Sequence, residues 1–183
     1  MAIIYFFDSC GIFLAALPAL IVHEGGHILA MRLFGARPTA LRAGISGFAL
    51  DFSGDISCHG EFLTTLSGPF FGLCFAFLCA RLAVIFESEY LLSCAGIGLI
   101  LNCFNLLPAL PLDGGRAVSI GAAFFWGNKV SKVISLVLSF GISLALCLFG
   151  LYFLLDGKGA ALLIAGIWLL VFPKRLVNKD RTV

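Results

Sequence analysis

From Ile12 to Leu33 the chain is almost wholly apolar, and in the middle of that run stands His23-Glu24-Gly25-Gly26-His27. Two imidazoles and a carboxylate are expensive in hydrocarbon, so ionisable groups at that depth point to function. The spacing is H-E-x-x-H. On a helix, His23 and His27 fall one turn apart on one face, where both rings can hold one metal ion. Glu24 lies beside them, placed to take a proton from a water that the metal activates. The plain alternative is a polar cluster packed between helices. A third ligand at similar depth would decide between the two.

The remainder of the chain fits a membrane setting. Of 183 residues, 61% are hydrophobic and only 12% charged. The mean hydropathy of +1.08 is far above that of a soluble domain of this size. A net charge of +2 is too small to argue for nucleic acid as a partner. The seven cysteines form no C-x-x-C pair and lie mostly in apolar stretches, so they read as small packing residues rather than a disulfide framework. The first basic residue is Arg32, which leaves no basic region for a cleaved signal peptide.

Hydrophobic runs and their breaks predict about five transmembrane helices. The first runs from Gly11 to Phe34 and is bent by Pro18. The second is Phe62–Phe86, interrupted early by Ser67-Gly68-Pro69. The third is Tyr90–Leu107, which carries Asn102 and Asn105. Arg116–Lys129 reads as a short interfacial segment, Val130–Leu155 as the fourth span and Ala160–Phe172 as a short fifth. Residues 173–183 form a basic tail. Between the first two spans, Phe48, Leu50 and Phe52 alternate with Ala49, Asp51 and Ser53. That strand period, with glycine-rich flanks, predicts a short membrane-associated β-hairpin. The fold class is therefore an all-α polytopic membrane protein with one small hairpin, and residues 1–183 make a single membrane domain.

Lysine and arginine set the orientation. Arg32, Arg37 and Arg42 follow the first span. Arg116, Lys129 and Lys132 fall between the third and fourth, and Lys174, Arg175, Lys179 and Arg181 follow the fifth. With five spans, all three clusters lie on one side. That side is expected to be cytoplasmic, so the histidines face the cytoplasmic half of the bilayer.

Asp113 is the best candidate for the third ligand. It follows Leu107-Pro108-Ala109-Leu110-Pro111-Leu112, a stretch that cannot be a regular helix, and precedes Gly114-Gly115. Irregular backbone at membrane depth survives only where protein buries it or where it lines a wet cavity. Two neutral imidazoles and one carboxylate leave a divalent ion with net positive charge, which acidifies a bound water. The alternative for Asp113 is a cap on a helix starting near Gly114. Gly114 and Gly115 are read as clearance for the carboxylate, and Gly25 and Gly26 as clearance for metal ligation or a substrate backbone. Cys58-His59 near Asp55 lacks further ligands at a suitable spacing and reads as an interfacial loop.

Taken together, His23-Glu24-Gly25-Gly26-His27 and Asn105-Leu106-Leu107-Pro108-Ala109-Leu110-Pro111-Leu112-Asp113-Gly114-Gly115 resemble the site-2 protease family of intramembrane zinc metalloproteases. The compact bacterial branch that includes the stage IV sporulation protease is most similar. The likeness covers roughly Leu17–Arg116. It implies hydrolysis of a peptide bond within or near a transmembrane segment of another membrane protein. It implies one zinc ion on His23, His27 and Asp113, with Glu24 as general base. It also implies that Asn105 helps hold the substrate or the developing oxyanion. The hairpin at Phe48, Leu50 and Phe52 would pair with unwound substrate. By analogy the substrate is a membrane-tethered transcription-factor precursor in a bacterial cytoplasmic membrane, with regulatory membrane proteins as partners. Three departures stand out. No span is expected before the H-E-x-x-H helix, because about twenty residues precede His23. Gly68-Pro69 matches a family motif, but Gly72 stands where relatives often carry asparagine. No region is long enough for a PDZ or CBS domain. A rival function is a silent relative that binds membrane helices as an adaptor. A second rival, an ion carrier, lacks the internal repeat that such proteins usually show.

Overall fold

The computed structural model describes residues 12–35, 37–44, 47–53, 57–157 and 159–179. For 37–44, 47–53 and 172–179 it describes the backbone alone. The elements in order are α1 (Ile12–Leu33), β1 (Arg37–Gly44), β2 (Gly47–Ser53), α2 (Cys58–Phe86), α3 (Glu89–Asn105), α4 (Asp113–Leu155) and α5 (Ala161–Lys179). The chain divides into two compact units.

The first unit contains α1, α2 and α3, each packed against the other two. Between apolar helices in lipid there is little hydrophobic drive, so close backbone approach must supply the packing. The buried faces show how. On α1 they are Ala15, Ala19, His23, Gly26, Ala30 and Met31. On α2 the stripe is Gly68, Gly72, Ala76, Cys79 and Ala83, and on α3 it is Cys94, Ala95, Gly98 and Asn102. Larger residues such as Phe77, Val84, Ile21 and Ile100 point outward. The small-residue seam carries the first histidine and an asparagine at its end.

Pro18 lies inside α1 and cannot give Leu14 its usual helical hydrogen bond. Tyr90 supplies a replacement: its hydroxyl donates to the Leu14 carbonyl at 3.2 Å. The start of α3 is thereby tied to the early turns of α1. Ser57 caps α2 by accepting from the Gly60 N–H at 3.2 Å. Glu87 in the left-handed region closes the helix.

The second unit contains Thr39–Asp51 and everything from Leu106 onward. Here β1 and β2 pair as a two-stranded sheet. Phe48, Leu50 and Phe52 fall within β2, and their side chains lie outside the described residues. Asp55, too, lies outside them.

α4 has 43 residues, which as one straight helix would extend about 65 Å, twice the hydrocarbon thickness of a bilayer. It breaks at Gly127, whose φ of 80° and ψ of 166° suit glycine almost alone. Ser131 donates to the Ser119 carbonyl at 2.6 Å across that break. Twelve residues apart on a straight helix, the two would be about 18 Å apart. The limbs therefore fold back on one another. α5 packs against α4.

Among the described residues three helices are long and apolar enough to cross a membrane: α1, α2 and α4. The third and fifth expected spans fall on the shorter helices α3 and α5. α3 has only 17 residues because Glu89 starts it and the proline-rich stretch ends it. In α5 the apolar part, Ala161–Val171, is likewise short. The expected interfacial segment and fourth span form one element divided at Gly127. The helix of α5 runs through Pro173 to Lys179, into the stretch expected to be a tail.

Candidate metal centre

His23 and His27 project from one face of α1, as their spacing requires. His23 is 3% exposed and His27 half-buried. The rings meet edge to face, with centroids 4.9 Å apart and planes at 82°. The two Nε2 atoms are 3.3 Å apart.

The hydrogen-bond network fixes which nitrogen carries the proton on each ring. His27 Nδ1 lies 2.8 Å from the Thr64 carbonyl oxygen, which can only accept, so Nδ1 donates. His23 Nδ1 lies 2.8 Å from Asn102 Oδ1. The orientation of that amide is set in turn, because Asn102 Nδ2 donates to the Gly98 carbonyl at 2.6 Å. His23 Nδ1 is therefore a donor as well. With both hydrogens on Nδ1, neutral rings point the lone pairs of Nε2 towards each other. Two such acceptors at 3.3 Å repel unless a cation stands against both. Two ligands on a tetrahedral zinc at about 2.0–2.1 Å each would be about 3.3–3.4 Å apart. The arrangement fits a divalent ion, and each ring already has the outer partner that metal-binding histidines use.

Close helix approach makes this possible. A Cβ on Gly68 would collide with the His27 ring. One on Gly72 would occupy the space of the Asn102 amide. On Gly26 it would stand 2.8 Å from the Ser67 carbonyl, so this glycine serves the contact of α1 with α2. Gly25 faces open space. Clearance for metal ligation thus comes from α2, from Gly68 and Gly72, and not from the glycines inside the motif. Asn105, at the end of α3, brings its amide Nδ2 to 3.5 Å from His23 Nε2, the outer limit of a hydrogen bond. Glu24 is half-buried next to His23 in sequence.

In the second unit Asp113 is half-buried and is the first residue of α4. The cap position belongs to Leu112, which makes no side-chain cap bond, so Asp113 is not the cap that the sequence allowed. A carboxylate in the first turn is favoured by the helix dipole. The backbone before it is irregular, and three of its N–H groups are paired. Ala109 N–H donates to the Leu107 carbonyl at 2.8 Å and Leu112 N–H to the Ala109 carbonyl at 2.9 Å. Leu110 N–H donates to Ser139 Oγ at 2.8 Å. The Leu110–Pro111 peptide is cis. Added Cβ atoms on Gly114 and Gly115 would strike the backbone of Leu106, Leu107 and Ala109. These glycines let the turn pack on itself, a more local reason than clearance for the carboxylate. Among the described residues no group of three metal-ligating side chains includes His59.

Sequence reasoning missed Asn102 as a partner of His23, the Thr64 carbonyl and the function of Gly72. The one available signal was a buried-type amide inside a short apolar helix.

No family model matches the chain. It is 25% identical over 146 residues to a zinc metalloprotease of Methanocaldococcus jannaschii, covering 76% of this chain and 42% of that one. It is 28% identical over 181 residues to Rip3, a Mycobacterium tuberculosis protein named as a zinc metalloprotease, covering 92% of this chain and 44% of that one. The chain thus spans less than half the length of these curated relatives. The solved site-2 protease of Methanocaldococcus jannaschii is similar in fold, with a TM-score of 0.70 at 20% identity, over 89% of this chain and 76% of that one. The likeness to that site-2 protease is one of fold, and both curated relatives carry a zinc metalloprotease name.

Proposed function

We propose that the chain is an intramembrane zinc metalloprotease that hydrolyses a peptide bond within or near a transmembrane segment of another membrane protein. The observation that carries this is the histidine pair: Nε2 atoms 3.3 Å apart, with each Nδ1 hydrogen already given to an oxygen. The names of the curated relatives and the fold support the same reading.

His23, His27 and Asp113 would hold the ion. Two neutral imidazoles and one carboxylate make a donor set with a single negative charge, as in open catalytic sites. When bound, zinc supplies Lewis acidity and lowers the pKa of water beside it. Glu24 accepts a proton from the attacking water and returns it to the leaving nitrogen. The Asn105 amide donates to the oxygen that gains charge as the carbonyl is attacked. His23 and His27 keep their Nδ1 hydrogens on Asn102 and Thr64 throughout, so both rings remain ligands rather than proton carriers.

A helix hides its carbonyls, so the substrate must unwind before attack. β2 offers an edge at which Phe48, Leu50 and Phe52 would pair with the extended segment. The basic residues after α1 support a site in the cytoplasmic half of the membrane. A membrane-tethered precursor that releases a cytoplasmic fragment suits that orientation.

The test is cleavage of a single-span substrate in liposomes, with metal analysis of the same preparation. Wild type should hold one zinc and cut. Glu24→Gln should hold zinc and not cut. A metal-free wild-type protein, purified without chelator, would sink the proposal. Zinc-loaded Glu24→Gln protein cutting at the wild-type rate would remove Glu24 from the mechanism.

A further inference from the structure

We infer that Asn102 is the positioning residue for His23, and that Gly72 on α2 makes the room it needs. The inference rests on the metal-site reading above and adds a residue to it.

Asn102 is 0% exposed, on a helix otherwise built of apolar and small residues. Burying an amide is costly unless its groups are paired. Here both ends are used. Nδ2 gives a hydrogen to the Gly98 carbonyl one turn back, at 2.6 Å, and this leaves Oδ1 facing His23 Nδ1 at 2.8 Å. An oxygen at that place holds the hydrogen on Nδ1. The Nε2 lone pair is then directed towards Nε2 of His27. Without Asn102, neutral His23 would populate the other tautomer, whose Nε2–H cannot ligate a metal.

The two histidines are held differently. His27 is fixed by a backbone carbonyl, which no substitution at Thr64 removes. The outer partner of His23 is a side chain, and that side chain can stand there only because α2 has no Cβ at position 72. A methyl group on Gly72 would overlap the Oδ1, Cγ and Nδ2 atoms of Asn102 together. Position 72 is also where the family resemblance leads one to expect asparagine. The geometry accounts for the departure: the amide enters this space from α3, and α2 vacates it.

The test uses the full chain in detergent micelles and reads the zinc dissociation constant by competition with a chromophoric chelator. Asn102→Ala should bind zinc 10–100-fold more weakly, the usual loss for an outer-shell partner. Gly72→Ala should lose a similar factor, because it displaces the same amide. The double variant Asn102→Ala/Gly72→Ala should be no weaker than Asn102→Ala alone, since both act through one contact. Asn102→Ala/Gly72→Asn should regain affinity by refilling the space from the opposite helix. A folded Asn102→Ala protein with wild-type affinity would overturn the inference. So would losses that multiply in the double variant. Should Asn102→Ala fail to fold, Gly72→Ala and the exchanged pair carry the test, and wild-type affinity in Gly72→Ala overturns it. Failure of the wild type to bind zinc would instead bring down the metal reading, and this inference with it.

Discussion

His27 donates its Nδ1 hydrogen to the carbonyl of Thr64 at 2.8 Å, and the same ring lies over Gly68, one turn further along α2. One helix therefore fixes the ring in two ways, by an acceptor and by an absent side chain. Gly68→Ala removes the second without touching the first. The added methyl meets the ring itself, so either the ring turns or the helices part. Zinc affinity should fall at least tenfold, with cleavage falling in proportion. Chelator competition on the purified variant measures it, and unchanged affinity would show that α2 does not constrain the ligand.

Removing the metal should loosen the α1–α2–α3 unit. Facing Nε2 lone pairs 3.3 Å apart are tolerable against a cation and repulsive without one. A ligand present at about 100 times its dissociation constant stabilises the folded state by about 2.7 kcal/mol. Thermal unfolding in detergent should accordingly shift down by several degrees on chelation and recover when zinc is returned. His23→Ala protein should show little of this shift, because one ring alone holds the ion poorly.

The motif spacing in α1 and the proline-rich stretch before Asp113 were legible because each is local. A residue pair four apart on a helix needs no tertiary knowledge, and a run of prolines forbids a helix wherever it lies. Apolar length cannot show that a fold at Gly127 links two segments into α4. Asn102 was invisible as a partner of His23 because 79 residues separate them and only helix packing brings them together. In sequence Gly72 shows only as a departure from the family pattern, because the Asn102 amide that fills its space comes from another helix. Gly26 and Gly114 both make close approaches, but the atoms they approach belong to the scaffold.

Ser139 should matter more than the serines around it. Its hydroxyl accepts from the Leu110 N–H at 2.8 Å and donates to the Ser135 carbonyl at 2.6 Å. It thus ties α4 to the turn that ends at Asp113. Ser139→Ala leaves the Leu110 N–H without that acceptor, at a cost of about 1–3 kcal/mol. Ser143→Ala removes only a bond to the carbonyl one turn back and should cost well under 1 kcal/mol. With Asp113 as third ligand, Ser139→Ala should weaken zinc binding as well as stability, whereas Ser143→Ala should change neither. Chemical unfolding in mixed micelles and chelator competition on both variants separate the two effects.

Gly127 sets the fold-back of α4 with a backbone conformation that side chains rarely adopt, φ 80° and ψ 166°. No neighbouring atom lies within 4 Å of an added Cβ, so a substitution there is strained by its dihedrals and not by crowding. Gly127→Ala should therefore cost of order 1–3 kcal/mol. The strain is relieved if the two limbs straighten, which would break the Ser131 to Ser119 hydrogen bond at 2.6 Å. A cysteine pair at positions 119 and 131 reports this directly. In an otherwise native background the two should cross-link readily under mild oxidation. Adding Gly127→Ala should reduce the yield, and equal yields would mean that the turn tolerates alanine and the limbs stay together for other reasons.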